Sequence, residues 1–487
     1  MGDQAVIRRR GFTLVPGPLR PWRSVGGAPL LALLLRAVVG IASQPAYAEE
    51  LGIVRRFDSI DVTFGSLAHS PSRPNVAVGP DHVLVGTTFH VQVFDRSGVS
   101  LSLESLEDFL SLPSQCEEAY FPDVLFDGQS SRWIVGARAA ADFFCLAVSS
   151  SSDPLATWYR YAFPVDTLDS YFHVGIGVDA LYLGAQRLSS GGRVFAIDKA
   201  ALYAGANTSM VVRSLRGGSH PVPITLHGQA SGTWPTSDRH HFVALGDSGA
   251  PAILRLYSWS DALDGGVPDN GVSLDLESVH GTILEPPVDN PQAGSGAPIA
   301  GFESVPLDFE YRDGFGYVVS HASCQPAGDA VNCLQWAKID LETRLLHSAG
   351  VFGTDGVFRA YGDLAVDRCG NLAIGYSRFS TDTFPSSFVA GALATDPPGT
   401  LSSEIELQPG DVVYQTSSGR WGEFTGMTLA PDGRSFWYAG VYSKDVGGGN
   451  WNWGTTVGEL AFPSCTPTVF ADGFESGNTS SWSSTTP

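Results

Sequence analysis

Seven copies of one short phrase constrain this chain more than any other feature of its sequence. Each copy is a small turn that contains an aspartate, followed by an apolar strand that ends at glycine or serine. The turn aspartates are Asp81, Asp127, Asp179, Asp238, Asp313, Asp367 and Asp432. Aspartate suits such turns because its carboxylate can accept hydrogen bonds from its own backbone. The six intervals from position 81 to position 432 average about 58.5 residues, which is a period typical of repeat-built folds.

A second alternating strand follows each phrase, and a further β-like run follows several of them. Three or four strands per unit, repeated seven times with antiparallel turns, predict an all-β chain folded as a seven-bladed β-propeller. The last unit runs out of strands at Pro463, while Ile60–Phe64 alternates before the first full unit. We therefore expect an N-terminal strand to close the ring by completing the last blade. The longest interval contains Gly281–Gly301, rich in Pro, Gly and Ala, which is predicted to be an exposed loop.

The two ends of the chain differ from the repeats. Basic residues precede an apolar run at Ala28–Ala42, and Ala46-Tyr47-Ala48 fits a small-x-small cleavage site. The sequence thus predicts a signal peptide (1–48), a β-propeller domain (49–465) and a flexible Ser/Thr-rich tail (466–487). Arg9-Arg10 fits a twin-arginine export signal, and an ordinary secretory signal is the alternative. The apolar run is too short to span a membrane, so we expect an exported protein in the periplasm, at the cell surface or outside the cell.

The net charge restricts the kinds of partner that the protein can bind, and the cysteine content indicates the compartment in which it folds. Without residues 1–48 the chain keeps 23 basic and 49 acidic side chains, a net charge of −26, which excludes a nucleic-acid partner because phosphate binding needs a basic surface. Six cysteines in an exported chain indicate disulfides, although spacing alone leaves fifteen connectivities open. We expect the pairs Cys116–Cys145, Cys324–Cys333 and Cys369–Cys465, and a monomer.

Several phrases carry a resemblance to a known family. They lie in Pro74–Gly98, Ser152–Pro164, Val366–Ser377, Asp396–Thr400 and Arg420–Cys465. These segments resemble a family of uncharacterised secreted bacterial β-propeller-like proteins. Asp472–Gly477 with Trp482 resembles a short tail found at the C-termini of exported proteobacterial proteins. The resemblance implies the fold and export, and it implies no enzyme class.

Polar residues stand at the starts of the strands predicted to line the central channel. Asn75, Asp123, His173, Asp363 and Glu423 each fall shortly before a turn aspartate, so their side chains can converge at one mouth of the channel. Converging carboxylates with a histidine can bind Ca²⁺ or another hard cation, or act as general acid and base. Arg420 and Trp421 can pair those acids or stack a ligand. The alternative is an acidic rim that only faces water.

These features predict a ligand-binding or surface-interaction module for an extracellular glycan or protein. The ligand face would be the channel mouth, with the loops around Trp421 and Trp451. The alternative is an extracellular carbohydrate-active hydrolase or lyase that uses the mouth carboxylates, and a third candidate is a structural or adhesive role. No complete catalytic motif accompanies the repeats, and fold alone does not determine activity.

Overall fold

The computed structural model describes residues 50–64, 71–112, 114–140, 142–187, 191–227, 233–294, 296–449 and 451–465. The predicted signal peptide and the predicted tail lie outside these residues. The described residues form seven small antiparallel sheets arranged in a ring, a seven-bladed β-propeller. The predicted fold class is therefore confirmed.

The first strand of the chain, β1 (Gly52–Asp61), belongs to the last blade, so the first complete blade begins at β2. Blade 1 consists of β2 (Asn75–Val78), β3 (His82–Thr87), β4 (His90–Asp95) and β5 (Ser100–Ser105), followed by helix α1 (Leu106–Leu110). Blade 2 consists of β6 (Tyr120–Asp127), β7 (Arg132–Ala139), β8 (Phe143–Ser149) and β9 (Trp158–Pro164). Blade 3 consists of β10 (Asp169–Ile176), β11 (Ala180–Arg187), β12 (Gly191–Asp198) and β13 (Met210–Ser214), with helix α2 (Lys199–Tyr203) between the last two strands.

One short strand crosses from the chain segment of blade 4 to blade 5. Blade 4 consists of β14 (Ser219–Pro223), β16 (His240–Leu245), β17 (Ile253–Trp259) and β18 (Val272–Asp275), followed by helix α3 (Glu277–His280). Blade 5 consists of β15 (Thr225–Leu226), β19 (Asp308–Arg312), β20 (Phe315–Cys324), β21 (Val331–Asp340) and β22 (Leu345–Phe352). Strand β15 comes directly after β14 in the chain and pairs parallel with β19. It brings His227, the residue just after it, against Glu310 of β19.

Blade 6 consists of β23 (Phe358–Val366), β24 (Leu372–Ser380), β25 (Thr383–Ala392) and β26 (Ser403–Gln408). Blade 7 consists of β27 (Gly426–Leu429), β28 (Phe436–Ser443), β29 (Trp453–Ala461) and β1, and a short 3-10 turn (Pro463–Cys465) follows it. The first strands of neighbouring blades contact one another around the central channel. Whatever those first strands carry on their inner side faces that channel.

The blades stack through large side chains that press against glycines of a neighbouring blade. Trp133 and Tyr438 are fully buried, and a Cβ atom at Gly79 or Gly375 would overlap their respective rings. Burying a large apolar side chain stabilises the fold by about 1.5–3 kcal/mol. The glycines of the strands therefore allow close packing between blades.

Ring closure is confirmed, although the closing strand differs from its predicted bounds. Strand β1 pairs antiparallel with β29, from Gly52 opposite Ala461 to Asp61 opposite Gly454. Most of the strand therefore precedes Ile60–Phe64. Because β1 is the outermost strand of its blade, its middle is polar and lacks clear alternation. Its charged side chains are held by pairs such as Arg55 Nε to Glu459 Oε2 at 2.6 Å.

The structure contains the three expected disulfides. Cys116–Cys145 lies within blade 2, and Cys324–Cys333 bridges strands β20 and β21. Cys369–Cys465 joins a turn of blade 6 to the chain after β29. None of the helices within the described ranges is long and apolar enough to cross a membrane.

The prediction of an exposed loop at Gly281–Gly301 holds only in part. Asn290 and Ile299 are fully buried, and Asn290 donates its side-chain amide to the backbone oxygen of Ile299. The amide of Asn332 in blade 5 bonds to Asn290 Oδ1 at 2.8 Å. Side-chain hydrogen bonds thus hold the segment in place together with the apolar contacts of Leu284 and Ile299.

Candidate functional site

The inner strands carry a repeated backbone distortion next to the channel. Six non-glycine residues, one in each of six blades, have a positive φ at an equivalent place, with values of 42°, 58°, 51°, 51°, 60° and 58°; they are Arg73, Phe121, Tyr171, His220, Tyr361 and Glu423. A β-bulge interrupts the strand pairing beside Phe121, Tyr171, His220 and Tyr361. A bulge redirects the side chains around it, so the distorted residue and the residue two positions later point to different parts of the channel.

Two residues after each distortion, side chains gather around an interior cavity of about 60 Å³. Asn75, Asp123, His173 and Asp363 all line it, as does Thr425 of blade 7. The structure therefore brings together four of the seven residues that the sequence singled out. A water molecule needs roughly 15 Å³ on this measure, so the volume corresponds to a few waters.

The sequence did not identify four other charged or ionisable residues of this region. Arg73, His227 and Asp308 also line the cavity, and Glu310 follows Asp308 on the same side of β19. Asp308 lies five residues before the turn aspartate Asp313, much as Asp123 lies four before Asp127, and that spacing is a signal that could have identified it. His227 reaches the channel only because β15 crosses to blade 5.

Arg73 separates the cavity from one mouth of the channel. Its guanidinium lies 4.4 Å from the centroid of the Phe121 ring and 4.0 Å from that of Phe424. Burial lowers the pKa of Arg73 to about 10, while the negative charges of Asp123 and Glu423 oppose that shift. The guanidinium therefore stays charged at neutral pH and compensates one carboxylate on each side.

Asp123 and His173 have opposite pKa shifts with the same main cause. Burial raises the pKa of Asp123 to about 6, against the effects of Arg73 and of the Val174 N–H, which donates to Asp123 Oδ2 at 2.8 Å. Burial, with the nearby positive charge of Arg73, lowers the pKa of His173 to about 3. His173 is therefore neutral at pH 7. Asp123 has accessible surface toward the cavity, although protein atoms surround its carboxyl group densely.

Asp308, Glu310 and Asp363 form an acidic cluster on one side of the cavity. Burial raises the pKa of Asp308 and of Asp363 well above the usual range. Repulsion from Glu310 raises both pKa values further, and repulsion from Asp308 adds to the shift of Asp363. The backbone N–H groups of Leu364 and Met427 in the next blades donate to Asp308 and Asp363 respectively. Glu310 Oε1 contacts His227 Nδ1. One oxygen of each of these three carboxyl groups, Asp308 Oδ2, Glu310 Oε2 and Asp363 Oδ1, has no hydrogen-bond partner.

Glu423, Arg420 and Trp421 lie outside the cavity. Glu423 occupies the distorted position itself, so its side chain turns away from the cavity and makes a two-pronged ion pair with Arg420. Trp421 is 1% exposed, its ring is 4.6 Å from that of Tyr414 between centroids, and its Nε1 donates to Ser377 Oγ at 2.9 Å. It has no free face for stacking a ligand. Trp451 packs partly buried against the same cluster.

Partly exposed aromatic rings surround the mouth that Arg73 and Phe424 close. We call Phe121, Tyr171, His220 and Phe302 the aromatic mouth; each is partly exposed. The ring centroid of Tyr171 lies 5.8 Å from that of His220 and 6.2 Å from that of Phe302, and Phe302 lies 6.1 Å from Phe424. His220 Nε2 is 3.4 Å from Glu303 Oε2, a distance that fits an ion pair. Because burial lowers the pKa of His220 to about 4, the imidazole is neutral at pH 7 and this contact carries little charge attraction.

One cluster of side chains that could in principle ligate a metal lies outside the channel. Within the described part of the chain, potential ligand atoms of three His, Cys, Asp or Glu residues lie within 4.8 Å of one another only at Asp367, Cys369 and Cys465. The two cysteines form a disulfide, so their sulfur atoms are not thiolate ligands. This group is a structural cross-link.

The fold and the channel define a seven-bladed β-propeller with an ionisable interior cavity beneath an aromatic mouth. No protein-family model and no curated protein sequence matches the chain. Among solved structures, the chain is similar to the Dos1 propeller, with a TM-score of 0.41, 10% identity, and coverage of 85% of this chain and 96% of that one. It is also similar to the WD40 domain of SCAP from fission yeast, with a TM-score of 0.38, 12% identity, and coverage of 84% and 98%. It is similar as well to the Neurospora crassa Pan2 WD40 domain, with a TM-score of 0.39, 9% identity, and coverage of 86% of this chain and 97% of that one.

Proposed function

We propose that this protein is an exported recognition module that binds an extracellular ligand, a glycan or a protein, at the aromatic mouth. The observation that carries the proposal is the set of partly exposed rings at the mouth, three of them on backbone positions with a positive φ in successive blades. Phe302, the fourth ring, also has a positive φ, of 61°.

The backbone conformation of these residues supports a role for their side chains. A non-glycine residue in the left-handed region costs about 1–3 kcal/mol, and such residues cluster at binding and catalytic sites. Glycine would adopt the same conformation without strain. Blades 2, 3 and 4 instead place Phe121, Tyr171 and His220 there. Rigid aromatic rings offer a large contact area for little loss of side-chain freedom.

Polar groups around the rings fit the same interpretation. Arg420 has a side chain that is 39% exposed, and that of Glu303 is 64% exposed. An apolar centre with a polar rim is the usual anatomy of a recognition surface. Three disulfides support export, since such bonds persist in oxidising compartments.

The hydrolase alternative receives less support from the geometry. Asp363 lines the interior cavity, while Glu423 lies outside it and is paired with Arg420. A space of about 60 Å³ is well below the roughly 300–1,000 Å³ of pockets that take small organic ligands. The two carboxylates therefore do not flank a space that could hold a sugar ring.

Glycine substitutions test the proposal without straining the fold. In Tyr171→Gly, Phe302→Gly and the double variant the rings are removed, while the backbone keeps a conformation that glycine prefers. The exported protein is incubated with immobilised extracellular polysaccharides and surface proteins, and retained protein and released reducing ends are measured. We expect the wild type to be retained by one of them, and the double variant to bind it about 30-fold more weakly, as for a central interface residue worth 2 kcal/mol.

Ser131→Gly is the matched control. Ser131 also has a positive φ, of 55°, but lies in the turn between β6 and β7. The Ser131→Gly variant should bind the ligand as tightly as the wild type does. Unchanged binding by the double variant would place recognition elsewhere, and released reducing ends would favour the hydrolase.

A further inference from the structure

The interior cavity has an excess of carboxyl groups over basic groups that the mouth does not explain. Four carboxyl groups belong to this region, those of Asp123, Asp308, Glu310 and Asp363. Among the described residues that line the cavity, Arg73 alone carries a fixed positive charge. His173, whose pKa is lowered to about 3, is neutral at pH 7, and His227 contacts Glu310. Buried charges are stable only when they are paired, protonated or bound to a cation.

Oxygen atoms of this cluster lack partners although their residues are buried. Asp363 is 7% exposed and lines the cavity, and its Oδ1 has no hydrogen-bond partner. Glu310 is 1% exposed, and its Oε2 has none either. A buried polar atom without a partner destabilises the fold, and more so when it is charged. These oxygen atoms therefore indicate a positively charged ligand that carboxylate oxygens can coordinate.

We propose that the cavity binds one partly hydrated hard divalent cation, Ca²⁺ or Mg²⁺, through the carboxylates of Asp308 and Asp363. Carboxylate, amide and water oxygens are the ligands these ions take, and Mg²⁺ in particular keeps several waters beside one or two carboxylates. The cavity volume of about 60 Å³ suits an ion with a few waters. Asn75 and Thr425 line the same cavity and offer neutral oxygens.

The spacing of the acids determines how the ion is held. No three acidic or histidine ligand atoms of the described channel residues lie within 4.8 Å of one another. Water must therefore complete the coordination. This site lies beyond Phe424 from the aromatic mouth, and the inference does not depend on the ligand bound at that mouth.

The experiment uses the full exported protein, stripped of metal with EDTA and then dialysed against CaCl₂ or MgCl₂. Metal content is measured by mass spectrometry, and thermal unfolding is followed with and without each salt. We expect one ion per chain and a higher Tm with the ion. Because carboxyl groups bind such an ion in their deprotonated form, retention should weaken as pH falls. Asp308→Asn and Asp363→Asn should each weaken retention at least about tenfold and remove the effect of the salt on Tm.

Asp81→Asn serves as the charge-matched control, since Asp81 is exposed in a turn of blade 1. It should retain the ion as the wild type does. A wild type that retains no ion and keeps an unchanged Tm after dialysis against either salt would overturn the proposal, and so would retention at the wild-type level by both channel variants. If a channel variant does not fold, the wild-type metal content and its response to EDTA decide the question alone.

Discussion

Arg73 interacts with two carboxylates, that of Asp123, which lines the cavity, and that of Glu423, which lies outside it. Its planar guanidinium also fills the space between the rings of Phe121 and Phe424. A neutral side chain of similar length can restore the packing but not the charge. The position therefore separates the electrostatic role of the residue from its steric role.

Arg73→Met should lower the free energy of unfolding by about 3–5 kcal/mol at pH 7, because it leaves the buried carboxylate of Asp123 without a counter-charge. The loss should be smaller at pH 4.5, where Asp123 is protonated and no longer needs compensation. Urea unfolding at the two pH values measures the difference. An equal loss at both would assign the effect to packing.

Asp123 gives a separate dependence of stability on pH. Its folded pKa of about 6 lies above the ordinary value of 3.8, so the folded state binds more protons than the unfolded state between these values. Its contribution to stability is therefore present below pH 4 and is lost as the pH rises through 6. At about 1.4 kcal/mol per pKa unit, the loss is on the order of 3 kcal/mol.

Asp123→Asn should remove that part of the pH dependence, because an amide oxygen can still accept from the Val174 N–H. Chemical denaturation of both proteins from pH 4 to pH 8 measures it. Parallel stability curves for the two proteins would show that Asp123 does not titrate in this range.

Individual site residues could be predicted where the repeat is regular. Asn75, Asp123, His173 and Asp363 precede their turns by four to six residues on a strand that alternates, so their shared direction follows from strand geometry. Glu423 was assigned the same direction, but it lies two residues too early, on the distorted position that Thr425 follows. The sequence does not show a bulge at a non-glycine residue, since nothing in Phe121 or Tyr171 indicates a positive φ.

At the scale of elements, the number of strands in the sequence predicts that an N-terminal strand closes the ring, but it does not predict where that strand begins and ends. Seven units with one missing strand require a strand from the other end of the chain, so closure follows from the number of strands. The bounds of β1 do not follow, because an outermost strand is half solvated and its polar residues hide the alternation. Strand β15, which crosses between blades 4 and 5, breaks the repeat and has no counterpart from which it could be predicted.

The disulfides should stabilise the elements they join in the order of their sequence separations, which are 96, 29 and 9 residues. The loop-entropy model gives about 4.7, 3.6 and 2.6 kcal/mol respectively. Paired Cys→Ser substitutions, with unfolding followed in urea, measure each contribution. The loss should be largest for Cys369 with Cys465, and the reverse order would show that local packing outweighs the constraint on the unfolded chain.

At the scale of the whole molecule, the excess of acidic side chains opposes compaction. Residues 49–487 carry a net charge of −26, and salt screens such repulsion over about 10 Å at 0.1 M. The Tm in EDTA should therefore rise when NaCl is raised from low concentration to 0.15 M. Scanning calorimetry at several NaCl concentrations measures this rise, and a Tm that falls with salt would indicate that specific ion pairs dominate over the net charge.

The pairing of β1 with β29 also has a consequence for the order of events during synthesis. Gly52 meets Ala461, and at about 5–20 residues per second the roughly 400 residues between them take on the order of 20–80 seconds to translate. For that interval β1 has no partner strand, and a bare strand edge invites pairing with other nascent chains. Arg55, Arg56 and Asp58 in the middle of β1 supply charges that discourage such pairing until the last blade emerges.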